Sequence, residues 1–261
     1  MVRERVELRS RDEIERIREA SLIVHDILRE AVAMAAPGVT TADIDRLAEA
    51  RTREHRARPA FKGYHGFPAS ICISVNDEVV HGIPSPRRVL REGDVVGLDF
   101  GVEFRGYFGD SACSVAVGQP SHPVRRLLDV TREALARAIA VASPRHRLGD
   151  VGAAVQTYVE AAGFSVVRDF VGHGIGKKLH EPPQVPNYGT AGTGLRLRPG
   201  MVLAIEPMVT AGRPEVRTLD DGWTAVSADG SLAAHFEHTV AITEDGAEIL
   251  SLPRGSGARG K

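Results

Sequence analysis

Val95-Val-Gly-Leu-Asp99-Phe-Gly-Val102 is a continuous apolar run with one acid inside it. Such a run, without polar alternation, reads as a strand covered on both faces. A carboxylate buried there costs several kcal/mol unless a cation or several donors compensate it. Taken alone, Asp99 reads first as structural, a buried ion pair or a carboxylate accepting backbone N–H groups, and only second as functional. The decisive feature is that the run recurs.

Shifting the chain by 107 positions lays Arg91-Glu-Gly-Asp-Val-Val-Gly-Leu-Asp99 onto Arg198-Pro-Gly-Met-Val-Leu-Ala-Ile-Glu206. The same shift carries Pro37 onto Pro144 and Asp43-Ile44 onto Asp150-Val151. Upstream, Ser10-Arg-Asp-Glu-Ile opens a helix with Ser10 as cap and Glu13 completing a capping box. Ile14, Ile17, Leu22, Ile23, Ile27 and Leu28 then form an apolar stripe at helical spacing, which Pro37-Gly38 ends. Thr41-Ala-Asp-Ile-Asp begins a second helix that runs towards His55. Each half therefore reads as two helices followed by strands, the last matched strand ending in a carboxylate. The expected fold class is α+β: an internally duplicated unit around a joined sheet, with helices on one side. One domain is expected over residues 1–254, with halves at about 10–115 and 117–252. Only Gly255-Ser-Gly-Ala-Arg-Gly-Lys261 has the composition of a disordered tail.

More acids gather around the repeat. After Phe104-Arg-Gly-Tyr107, a hairpin turn, Asp110 comes back beside Asp99. Glu206 lies in Val202-Leu-Ala-Ile-Glu206-Pro-Met208, and Glu237 in Phe236-Glu-His-Thr-Val-Ala-Ile242. Acids collected at a sheet centre repel one another strongly enough to require cations. His173, in the glycine-rich turn Val171-Gly-His-Gly-Ile-Gly176, supplies a neutral imidazole. Asp99, Asp110, His173, Glu206 and Glu237 together suit two divalent ions with shared carboxylates. Oxygen-rich ligation without thiolate favours manganese, iron(II) or cobalt, with zinc also compatible.

Bulk properties fit a soluble globular protein. The chain has 261 residues, 43% hydrophobic and 26% charged, with a net charge of −1. That balance gives no global pull towards nucleic acid or membranes. The charged start Met1-Val-Arg-Glu-Arg excludes a secretory signal, and no stretch has the length of a membrane helix. Two cysteines are too few for a disulfide framework, so a cytoplasmic location is expected.

Phe100-Gly101, Gly172-His-Gly-Ile-Gly176, Ile205-Glu-Pro-Met208 and Phe236-Glu-His-Thr239 resemble the motifs of the type I methionine aminopeptidases. Asn76-Asp-Glu-Val-Val-His-Gly-Ile-Pro84 extends the likeness, which runs from about Ser10 to Leu252. The resemblance implies the pita-bread (creatinase/aminopeptidase-like) fold, a duplicated unit around a central antiparallel sheet. It implies the same five metal ligands, with Asp110 and Glu237 bridging two ions, and Glu206 as proton shuttle. It further implies that His81 contacts substrate near the scissile nitrogen and His180 near the peptide carbonyl. The methionine pocket maps onto Phe61, Tyr64, Phe67, Cys72, Leu179 and Trp223, and an aromatic, sulfur-lined cavity suits a thioether. Two positions depart from the family: Leu179 replaces the usual Phe, and Phe61 stands where Cys is frequent. His235 stands where the family more often has Gln, and it flanks Glu237 together with His238 as a candidate supporting donor. His25, His55, His122 and His146 read as surface residues.

The implied substrate is the N-terminal methionine of nascent chains, and a monomer is expected. Arg51-Thr-Arg-Glu-His-Arg-Ala-Arg58 offers a basic segment for ribosome association, against the plainer reading of a solvated helix face. The rival enzyme class is a prolidase or Xaa-Pro aminopeptidase, which carries similar ligands on the same fold. A metal-free peptide-binding relative would be expected to have lost ligands.

Overall fold

The computed structural model describes residues 6–255. The readings of the charged start and of the tail beyond Gly255 fall outside that range. Ser10 caps the first helix as expected: its hydroxyl accepts from Glu13 N while the Glu13 carboxylate accepts from Ser10 N. Helix α1 (Arg11–Met34) and helix α2 (Thr41–Glu54) lead the first half. Its strands are β1 (Arg58–Pro59), β2 (Cys72–Val75), β3 (Glu78–Val80), β4 (Val95–Phe104) and β5 (Tyr107–Ala116). Helices α3 (His122–Val141) and α4 (Leu148–Ala161) lead the second half. Then follow β6 (Ser165–Val166), β7 (Gly172–Gly174), β8 (Glu181–Val185), β9 (Val202–Ile205) and β10 (Met208–Thr210). The chain closes with β11 (Val216–Thr218), β12 (Ala225–Ser227), β13 (Ala233–His235), β14 (Glu237–Ile242) and β15 (Ala247–Ile249).

The central sheet runs β1-β4-β5-β14-β9-β7-β8, with β2 also on β4 and β15 on β14. Its pairings are antiparallel. The duplicated strands β4 and β9 lie on either side of the β5–β14 junction. The α+β expectation and the duplicated architecture are both met. One detail differs: β4 does not end at Asp99 but continues to Phe104. Strand β9 does stop at Ile205, where Pro207 follows Glu206 and has no N–H to offer a ladder. The β4–β5 turn is Arg105-Gly106, with both residues at positive φ (51° and 81°), the geometry of a tight two-residue hairpin.

The seam between the halves is short. Strands β5 and β14 share only Glu237↔Ala112 and His238↔Ser111, so side-chain hydroxyls extend the pairing. Ser111 Oγ donates to Glu237 O at 2.7 Å, and Ser114 Oγ donates to His235 O at 2.9 Å. Thr239 Oγ1 donates to Asp110 O at 2.8 Å. Helices cover one face. Ile23 and Ile27 of α1 join Val96, Leu98 and Phe100 of β4 in one core. Leu127 and Leu135 of α3 join Val155 of α4 and Leu203, Ile205 and Val240 of the sheet in another. Since Val96, Leu98 and Phe100 point to the helices, Asp99 points to the opposite face.

Candidate metal centre

Sheet register brings the four acids and the one imidazole together. Residues directly opposite in an antiparallel pair share a face, as do alternate residues along a strand. Asp99 is opposite Ala112, and Ala112 is opposite Glu237. Asp110 lies two residues before Ala112 and so shares their face. Ile205 is opposite His238, which sets the next residue, Glu206, across from Glu237. His173 is opposite Ala204, two residues before Glu206. The duplicated acids thus meet across the seam rather than along one strand.

His173 sits in strand β7, not in the turn its glycines suggested. The glycines serve close approach instead: a Cβ on Gly172 would lie 2.3 Å from Ala204 O, and one on Gly174 2.4 Å from Pro182 O. His173 Nδ1 lies 2.9 Å from Gly174 O. A carbonyl oxygen only accepts, so Nδ1 carries the proton and Nε2 keeps its lone pair. Nε2 faces Glu206 Oε1 at 3.5 Å.

Asp99 Oδ1, Asp110 Oδ1 and Glu237 Oε1 are buried without a hydrogen-bond partner. Orphaned carboxylate oxygens in a core are what a bound cation satisfies. Ligand atoms of Asp110, His173 and Glu237 all lie within 4.8 Å of one another. Burial pushes the Asp99 carboxyl up to about 7, and raises Asp110 well above its ordinary value, with Asp99 and Glu206 adding repulsion. Burial likewise raises Glu206 and Glu237 well above the usual carboxylate range. His173 is held down to about 3 by burial, so it remains a neutral ligand. A mutually repelling acid cluster beside a neutral imidazole fits a divalent cation chemically.

The expected substrate residues line the same cavity of about 430 Å³ as these acids: Phe61, Tyr64, Phe67, Cys72, Leu179 and Trp223, with His81 and His180. Phe67 and Trp223 meet edge-to-face at 5.2 Å. The Asp221 carboxylate accepts from Trp223 N and Thr224 N, both at 2.8 Å, which fixes the loop bearing the indole. Phe61 and Leu179 belong to one buried cluster and border one cavity. His81 adopts φ 60° directly after β3 and packs edge-on against Phe170. A non-glycine residue in that region marks a conformation imposed by its surroundings. Burial lowers His81 to about 4, leaving it neutral near pH 7.

Other histidines are placed differently from expectation. His238 follows Glu237 along β14 and therefore points to the opposite face, where Nδ1 bonds Ser251 Oγ at 2.8 Å; it does not support Glu237. His235 Nε2 lies 3.6 Å from Glu206 Oε2 and its charge couples to Asp99, so the acids it faces are Glu206 and Asp99. His55 and His122 are exposed, but His25 and His146 are half-buried, and His146 Nδ1 meets Ser143 Oγ at 2.9 Å. His65 reaches the cavity and contacts Tyr64 edge-on at 4.4 Å. Sequence reasoning missed Asn187, whose buried amide donates to Glu206 O at 2.9 Å and fixes that backbone. It also missed the seam hydroxyl of Thr239, although Thr239 adjoins the Glu237 motif.

The model of metallopeptidase family M24 matches residues 15–244. Methionine aminopeptidase from Clostridium acetobutylicum is 53% identical over 240 residues, covering 92% of this chain and 96% of that protein. Methionine aminopeptidase 1 from Bacillus subtilis is 51% identical over 238 residues, covering 90% and 94%. The crystal structure of methionine aminopeptidase from Thermotoga maritima superposes with a TM-score of 0.94 at 48% identity, covering 95% of this chain and all of that one. The prolidase of Pyrococcus furiosus shares the fold at a TM-score of 0.75 and 24% identity; this chain covers 66% of it. The chain belongs to metallopeptidase family M24 and carries its fold. Its place within that family is among the type I methionine aminopeptidases.

Proposed function

We propose that this chain removes the N-terminal methionine of newly made polypeptides when the second residue is small. The carrying observation is a single cavity with two chemically distinct walls. One wall holds Asp99, Asp110, His173, Glu206 and Glu237; the other is the apolar set from Phe61 to Trp223. Together they hold one flexible side chain beside one reacting carbonyl.

The five side chains, Asp99, Asp110, His173, Glu206 and Glu237, would hold two divalent ions, manganese, iron(II) or cobalt by their oxygen-rich character. Bound there, such ions would supply a water acidified towards neutrality and a positive charge beside the substrate carbonyl. Glu206 takes the proton released by the attacking water and passes it to the leaving amine. His180 donates a hydrogen bond to the carbonyl oxygen, and His81 stands near the scissile nitrogen. Phe61, Phe67, Cys72, Leu179 and Trp223 exclude water around the methionine side chain.

Action on nascent chains in the cytoplasm follows from this substrate. The basic segment gives little support to ribosomal RNA binding, because its charges are paired: Arg51 with Glu30 and Glu54 at 2.7 Å, Arg53 with Glu49 at 3.0 Å and Arg58 with Glu103 at 3.1 Å. Among the described residues, no helix is long and apolar enough to cross a membrane. The test is cleavage of Met-Ala-Ser against Xaa-Pro peptides with manganese and with cobalt. Release of methionine alone supports the reading. Preference for Xaa-Pro bonds would replace it with the proline-peptidase reading.

A further inference from the structure

Tyr64 belongs by resemblance to the methionine pocket, yet its hydroxyl lies 2.8 Å from Nδ1 of His180. The two residues are far apart in sequence and come from opposite halves of the molecule. Their rings are 5.2 Å apart between centroids, and the His180 ring also rests against His173 at 4.2 Å.

The backbone around His180 is already pinned. The Glu181 carboxylate accepts from Lys177 N at 2.9 Å and Lys178 N at 3.0 Å, and pairs with Arg9, whose side chain is only 6% exposed. His180 itself is exposed at the cavity, so rotation of its imidazole is the freedom that the backbone leaves open. The loop carrying Tyr64 is rigid. Tyr64 N donates to Phe61 O at 2.9 Å, Gly63 N to Phe67 O at 2.8 Å, and Phe67 N to Tyr64 O at 3.0 Å. Gly63 at φ 84° opens that turn. A rigid loop therefore holds one hydroxyl against one nitrogen of an otherwise rotatable ring.

We propose that Tyr64 is a positioning residue for the reaction: its hydroxyl donates to His180 Nδ1, which fixes the imidazole in the Nε2–H tautomer and presents that N–H to the substrate carbonyl. The chemistry selects this direction. If Nδ1 carried the proton, Nε2 would offer a lone pair to a carbonyl oxygen, an acceptor facing an acceptor. Burial raises the Tyr64 phenol above its ordinary value, so it keeps its hydrogen. The inference rests on the aminopeptidase reading for the identity of the carbonyl, but the Tyr64–His180 contact stands without it.

Tyr64→Phe keeps the ring and removes only the hydroxyl. In the manganese-loaded enzyme acting on Met-Ala-Ser, kcat should fall about 10-fold while KM moves less than about 2-fold. In a His180→Ala background the same substitution should cost nothing more, because Tyr64 acts through that ring. Nitrogen-15 spectra of labelled histidine should show the His180 Nε2–H form in the parent protein and a mixture in Tyr64→Phe. An unchanged kcat, an equal loss in both backgrounds, or an unchanged tautomer would overturn the proposal. If the parent enzyme failed to cleave Met-Ala-Ser, the functional reading would fall instead, and the ring-nitrogen spectra would still decide the role of Tyr64.

Discussion

The two faces of the central sheet each carry a cavity, about 430 Å³ on the side of the acids and about 400 Å³ between α1 and α3. The same strands build both. Asp110 and Glu237 face the first, while Ser111, Cys113 and His238 border the second. Volume does not distinguish them, but polar satisfaction does. On the acid side, Asp99, Asp110 and Glu237 each bury an oxygen without a partner. Under the helices, His238 is satisfied by Ser251, and Arg132 pairs with Asp129 at 3.0 Å and lies over the Phe236 ring. One cavity asks for a cation and the other asks for nothing. A site is marked here by unmet buried charge rather than by space.

The sharpest break of this comparison is removal of a shared carboxylate. Asp110→Asn or Glu237→Gln should abolish metal retention and lower kcat by about 10³-fold or more. Cys113→Ala, on the same strand as Asp110 but under the helices, should leave activity within about 2-fold. Glu206→Gln comes next: it should lower kcat by about 10²–10⁴-fold through loss of the proton shuttle. Full activity with the metals retained would remove Glu206 from that role.

Pocket shape predicts a smaller effect. Leu179→Phe alone should overfill the cavity and cost about 10-fold in kcat/KM, and adding Phe61→Cys should restore most of it, since both side chains border the same space. Additive losses would show that the two departures from the family do not compensate. Filling the other cavity with Ala136→Leu should leave activity unchanged and shift stability by less than about 1 kcal/mol.

How far the site was legible depended on side-chain parity. The repeat of Asp99 at Glu206 could be seen because apolar runs and their acids survive duplication, and the α+β architecture followed from it. His238 was misjudged because it adjoins Glu237 in sequence, although strand alternation sends neighbours to opposite faces. From sequence His173 reads as a turn residue, because the demand on its glycines comes from Ala204 and Pro182, which local sequence does not reveal. Asn187, Thr239 and Ser111 carry no local sign of their role. Their partners are brought together only by sheet pairing. His25 was read as surface because helix α3, which closes the cavity over it, lies in the other half of the chain.

Stability against pH tests the same unmet charge without catalysis. Only about one pH unit above 6.5, the ordinary value of a histidine, are the buried imidazoles nearly neutral in folded and unfolded chains alike. What still titrates differently are the buried acids, whose folded values lie above the ordinary 3.8 and 4.5. The metal-free folded protein then holds more protons than the unfolded chain, so stability falls as pH rises. Its Tm should drop as pH rises beyond about 7.5, and loading with manganese should flatten that slope.

The most direct test is metal content measured alongside hydrolysis of Met-Ala-Ser in the parent protein, Asp110→Asn and Glu237→Gln. Metal-dependent hydrolysis requires that the parent bind divalent metal and lose activity when stripped, recovering it with manganese or cobalt. Both variants should retain no metal and lose about 10³-fold or more in turnover while remaining folded. A stripped parent that kept full activity, or variants that kept full metal content and turnover, would contradict it.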